Sequence, residues 1–155
     1  MKTFKKILPI LVMLPMLLIQ VAKANSGDPK VEKITATDQM RFSVTNIDAK
    51  PGETIKVELT AVSDFPKMAM SHNFVLLKAD ADAMAVATAA AKYSDNDYIP
   101  ANMKDQIIAY TALAGGGDTV TVTFTAPQKP GKYQYICTFP GHFVSGMKGT
   151  LTVSN

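Results

Sequence analysis

Thr119-Val120-Thr121-Val122-Thr123-Phe124-Thr125 alternates without a fault between a hydroxyl and an apolar side chain. That alternation belongs to a β-strand with one face on a core and the other in water, and threonine and valine are good strand formers. Gly115-Gly116-Gly117-Asp118 before it reads as a turn, and Pro130-Gly131 after it turns the chain back. Downstream the alternation resumes, with Tyr133, Tyr135 and Cys137 on one face and, on the last strand, Met147, Leu151 and Val153 sharing one. Both sulfurs are thereby aimed at the core.

Upstream the pattern repeats. Met40, Phe42 and Val44 face one way and Arg41, Ser43 and Thr45 the other. After the turn signal Lys50-Pro51-Gly52, Ile55, Val57, Leu59 and Ala61 alternate with Lys56, Glu58 and Thr60. Strands spaced by about 10 residues predict an all-β protein, a β-sandwich of about seven or eight strands. One stretch departs from the period: Ala79 to Tyr93 is alanine-rich and opens with Asp80 and Asp82, acids that suit a helix N-terminus, so a single inserted helix is predicted there. Tyr93 to Leu113 is loop-rich, with one short strand expected at Gln106 to Tyr110.

Residues 1–24 have a basic start (Lys2, Lys5, Lys6), an apolar run from Ile7 to Val21 and Ala22-Lys23-Ala24. This is the pattern of a secretory signal, cleaved before Asn25. The run is shorter than the roughly 20 residues a spanning helix needs, so tethering through an uncleaved signal is the weaker alternative. A periplasmic location follows, with residues 25–155 as one domain. Without the signal the 16 basic residues fall to 12 against 13 acidic ones, and the net charge of +3 becomes about −1. The basic excess is thus a property of the export signal, and no clustered basic surface argues for nucleic acid. With one cysteine, the exported chain cannot form an internal disulfide, and a lone thiol in an oxidising compartment calls for pairing, reactivity or a ligand role.

Cys137-Thr138-Phe139-Pro140-Gly141-His142-Phe143-Val144-Ser145-Gly146-Met147 places a thiol, an imidazole and a thioether on one loop. Taken singly, a strand cysteine is a small hydrophobe and a strand methionine is core filler. Together, with four residues between each successive pair, they can fold around one ion. The other histidine, His72, begins the apolar run that continues through Asn73 to Leu77. Two imidazoles, a thiolate and a weak thioether form the ligand set of blue-copper electron carriers, whereas zinc prefers a fourth strong ligand. Both histidines being used, none remains for a second copper centre of the kind copper oxidases need, and a cysteine–histidine hydrolase would lack a third orienting group. The expected protein is therefore not an enzyme. Met68-Ala69-Met70 near His72 supports a second function, a periplasmic copper(I) carrier or chaperone, because thioethers bind copper(I).

Cys137 to His142 resembles the C-terminal copper loop of azurin, and Ser71-His72-Asn73-Phe74-Val75-Leu76 resembles its upstream ligand segment. The similarity extends over nearly the whole mature chain and includes the helix after the upstream ligand strand, as in azurin-type cupredoxins and the azurin-like auracyanins. The resemblance implies a Greek-key β-sandwich, copper as cofactor, His72, Cys137 and His142 as equatorial ligands, Met147 as the axial one, and Asn73 tying the two ligand segments together. It departs at three points. Four residues separate His142 from Met147 where azurin proper has three, Ser71 replaces the glycine whose carbonyl faces the metal, and the N-terminal disulfide is absent. Met68, Met70, Phe139, Pro140 and Phe143 cluster in sequence around the two histidines and are expected to form an apolar docking patch. The partners implied are redox proteins such as cytochromes or copper or haem oxidoreductases, met in transient complexes by a monomer.

Overall fold

In the computed structural model, which describes residues 27–155, the chain forms two packed sheets. The expected export signal at residues 1–24 lies outside the described residues. One sheet contains β1 (Lys30–Thr37), β2 (Arg41–Phe42), β4 (Thr54–Val62) and β9 (Thr119–Thr125), in the order β2-β1-β4-β9. The other contains β3 (Asn46–Ala49), β6 (Val75–Leu77), β7 (Ile107–Tyr110), β10 (Gly131–Ile136) and β11 (Lys148–Val153), in the order β3-β11-β10-β6-β7. A short ribbon joins β5 (Ser71–His72) to β8 (Ala114–Gly115). Of these 11 strands three have only two residues, which leaves eight longer ones, against the seven or eight that the alternation predicts. β1 runs parallel to β4 and β3 parallel to β11. Parallel neighbours cannot be joined by a hairpin, so the chain crosses between the sheets as a Greek-key sandwich requires.

The alternation places the core as expected. Ile55, Val57, Leu59 and Ala61 of β4 are buried, and the first three share one core with Phe42 of β2 and with Ile47, Tyr133, Tyr135, Leu151 and Val153 of the facing sheet. Each such aliphatic or aromatic side chain contributes roughly 1.5–3 kcal/mol when fully buried. Tyr135 is completely buried, donates its hydroxyl to the Val44 carbonyl at 2.7 Å, and lies against Gly149, where an added Cβ would sit 2.2 Å from the ring. Gly149 is required there by close approach rather than by backbone angle. Burial also raises the Tyr135 phenol above its usual range.

Three features differ from the sequence expectation. The helix α1 is confined to Ala83–Ala90, because Asp82 Oδ1 accepts the backbone N–H groups of Met84 and Ala85, each at 3.0 Å, and fixes the start. Its end is tightened by bonds from Lys92 to Ala89 and Tyr93 to Ala90, leading into 3-10 turns at Ser94–Asn96 and Ala101–Gln106. Ile136 is buried although it points away from the Tyr133-Tyr135-Cys137 face, because Val75, Leu77 and Ile136 form a second core with Val86 of α1 and with Ile99. Lastly, Gly115 is a strand residue before it is a turn residue: Ser71 pairs with Gly115 and His72 with Ala114.

Candidate metal centre

Two strand pairings bring distant segments together at one end of the sandwich. Leu76 pairs with Tyr135 and Val75 with Ile136, which sets the segment just before β6 beside the exit of β10. The ribbon β5–β8 holds His72 from the other side. As a result the ligand-type atoms of His72, Cys137 and His142 all lie within 4.8 Å of one another, and all three residues are buried. Cys137 Sγ is 3.4 Å from His142 Nδ1, and the two imidazole centroids are 4.9 Å apart.

Asn73 locks this geometry. Its Oδ1 accepts the Thr138 backbone N–H at 2.8 Å, and its Nδ2 donates to Thr138 Oγ1 and to the Asp97 carbonyl, each at 2.8 Å. One buried amide therefore joins the His72 segment, the cysteine loop and the 3-10 turn. Thr111 adds a further tie, its Oγ1 accepting the Phe74 N–H at 3.0 Å. The Ser71 hydroxyl donates to the Lys67 carbonyl, and Ser71 is fully buried.

The loop from Cys137 to Met147 is held by its own backbone. N–H groups of His142, Ser145, Gly146 and Met147 donate to the carbonyls of Phe139, Gly141, Phe143 and His142 at 2.9–3.1 Å, and Cys137 N–H donates to the Met147 carbonyl at 3.2 Å. Met147 is completely buried, held between Cys137 and His142 by these bonds.

The electrostatics suit a soft cation. Burial pushes the Cys137 thiol up to about 12, although the backbone N–H groups of Asn73 and Phe139 pull the other way. Burial, with the neighbouring His72, holds His142 down at about 4; burial also lowers His72, against the opposing charge of Asp38. Both imidazoles are accordingly neutral near pH 7, the form that binds metals. Both ring nitrogens of His72 are buried without a hydrogen-bond partner. Leaving such groups unsatisfied costs roughly 1–3 kcal/mol, which a bound ion would offset. Thiol, two imidazoles and a buried thioether fit copper in particular.

The residues of the expected docking patch divide. Met68 is 94% exposed, Pro140 is exposed, and Met70 and Phe143 are half-buried. Phe139 is buried, correcting its expected place on the surface: its ring packs against Tyr98 at 5.1 Å and His142 at 4.8 Å between centroids, so it walls the site from within. Val144, 70% exposed, belongs to this end of the molecule but was not anticipated. The sequence reading also missed Thr138 and Thr111. A buried asparagine needs partners, and the hydroxyl directly after Cys137 was the available signal.

Residues 29–154 match the family described as copper binding proteins, plastocyanin/azurin family. The chain is 37% identical over 125 residues to auracyanin-B of Chloroflexus aurantiacus, covering 80% of this chain and 52% of that protein. It thus spans about half the length of auracyanin-B. It is 39% identical over 124 residues to azurin of Pseudomonas fluorescens biotype C, covering 77% of this chain and 94% of that one. Among solved structures, auracyanin A, a "blue" copper protein of the green thermophilic photosynthetic bacterium Chloroflexus aurantiacus, superimposes with a TM-score of 0.73 at 35% identity, over 82% of this chain and 100% of that one. With the strand order, the buried donor triad and these likenesses in agreement, the chain belongs to the plastocyanin/azurin family of copper-binding proteins.

Proposed function

We propose that this protein is a periplasmic one-electron carrier, with His72, Cys137 and His142 as the strong ligands of one copper ion and Met147 as its weak axial ligand. The observation that carries the reading is His72, buried with neither ring nitrogen bonded, beside a buried thiol and a second buried imidazole. Copper, when bound, supplies a one-electron couple between its two oxidation states. The chain supplies the rest: Cys137 gives a thiolate, Asn73 holds the two ligand segments in register, and Phe139 excludes water. A donor set fixed by buried hydrogen bonds needs little rearrangement when the charge of the site changes, which favours fast transfer.

Electrons would leave beside His142, across the apolar patch that Met68, Met70, Pro140 and Phe143 would form there. Redox encounters are typically small, under roughly 1,200 Å², and would leave the protein monomeric between them. Export by residues 1–24 would deliver a chain beginning at Asn25, and N-terminal sequencing of the periplasmic form tests that. Among the described residues no helix is long and apolar enough to cross a membrane.

The deciding experiment is to load the purified protein with copper(II) and record its visible and electron-paramagnetic-resonance spectra, then reduce and reoxidise it. One copper per chain, an intense blue colour and reversible bleaching are expected. Oxidised copper protein without that colour would overturn the assignment and favour copper(I) carriage.

A further inference from the structure

We infer that Arg41 is a positioning residue for Met147: from the opposite sheet, its guanidinium holds the turn that presents the axial thioether. The inference rests on the axial role proposed for Met147. Arg41 opens β2, the short strand of the hairpin with β1, and its outward direction follows from the alternation that buries Phe42. Its Nη1 donates to the Ser145 carbonyl, 104 residues away, and to the Met40 carbonyl at 2.8 Å. The same guanidinium lies over Gly146, so that a Cβ built there would be 3.4 Å from Nη1.

The turn it grips is built on Gly146, whose missing side chain lets the chain bend there. Gly146 has φ +95°, a conformation costly for any residue with a side chain. The four residues between His142 and Met147 close in two overlapping turns, Ser145 to Gly141 and Gly146 to Phe143. In these bonds the Ser145 and Gly146 N–H groups donate to carbonyls within the loop, while the Ser145 carbonyl accepts from Arg41. Met147 follows two residues later, so a shift of this turn would move the backbone from which its thioether reaches the site. Both bonds come from the one nitrogen, Nη1, which ties the Ser145 turn to the Met40 carbonyl just before β2.

The alternative is that Arg41 acts only as a nearby positive charge, and the two roles predict opposite signs. Losing a positive charge stabilises the oxidised site and lowers the reduction potential, whereas loosening a weak axial donor raises it. The test is a double-mutant cycle of Arg41→Met and Met147→Leu, with Arg41→Gln as the variant that loses the charge but keeps a donor. The expected results are a raised potential and altered visible band ratios in Arg41→Met, substantial recovery in Arg41→Gln, and disappearance of the Arg41→Met effect in the Met147→Leu background. In the copper-free protein, amide exchange at Gly146 and Met147 should be faster in Arg41→Met than in the parent. A lowered potential, an equal shift in both backgrounds, or unchanged exchange at Gly146 and Met147 would overturn the inference. If Met147→Leu alone changed neither spectrum nor potential, the axial assignment would be what failed, and the Arg41 role with it.

Discussion

The side chain of Asn73 and the backbone of Thr138 are bonded at 2.8 Å across 65 residues of sequence, with both groups buried. The Asn73 amide and the Thr138 hydroxyl add a second bond of the same length. Replacing Asn73 by Ala would leave the buried Thr138 N–H unpaired. A loss of about 1–3 kcal/mol per buried group left unsatisfied is expected in the copper-free protein. Denaturant titration measures it, and a variant as stable as the parent would mean that the bond has no structural weight.

Cys137 is the only thiol in the chain, so Cys137→Ser should remove the blue band entirely while far-ultraviolet circular dichroism still reports a β-sandwich. A serine variant that remained intensely blue would disprove the ligand assignment.

Met147 is argued to bind weakly. Met147→Leu should keep one copper per chain and raise the reduction potential, and Met147→Gln should lower it. Voltammetry and copper analysis together decide. Loss of copper from the leucine variant would show a strong ligand where a weak one is expected.

Without copper, stability should fall on both sides of neutrality. His142 is held at about 4 against an ordinary 6.5, so between those values the unfolded chain binds a proton that the folded one refuses. Stability is lost as the pH falls through that window. Cys137 is pushed to about 12 from an ordinary 9.0, so above pH 9 the unfolded chain releases a proton that the folded one keeps, and stability is lost again. Denaturation midpoints across pH should plateau between these limits; a flat profile from pH 7 to 4.5 would contradict the burial of neutral imidazoles.

Met68 is nearly free of contacts at 94% exposure, so a charge there cannot disturb ligand geometry. Met68→Lys should leave the spectrum unchanged and slow electron self-exchange if this face docks partners. An unchanged self-exchange rate would argue that docking lies elsewhere.

Much of this was legible in the chain because a period of two and a ligand spacing are local signals. Ile55 to Ala61 and Val120 to Phe124 needed nothing beyond their neighbours to be read as strands, and Cys137, His142 and Met147 announce one another by distance along a loop. What escaped depends on contacts made after folding. Ile136 breaks its own alternation only because α1 covers the outer face. Gly115 joins a strand only because Ser71 lies opposite it in β5, and Phe139 turns inward only because Tyr98 and His142 are there to receive it. The grip of Arg41 on Ser145 spans two sheets and leaves no trace in either segment.

β10 and β11 remain paired from Ile136 with Lys148 to Gly131 with Val153, so the metal loop begins and ends on rungs of one ladder. Insertions or deletions between those rungs alter the loop without shifting the register of any strand. Descent with modification can therefore tune the metal site, one residue at a time, on a scaffold that does not have to be reinvented. The four residues between His142 and Met147 lie within that span.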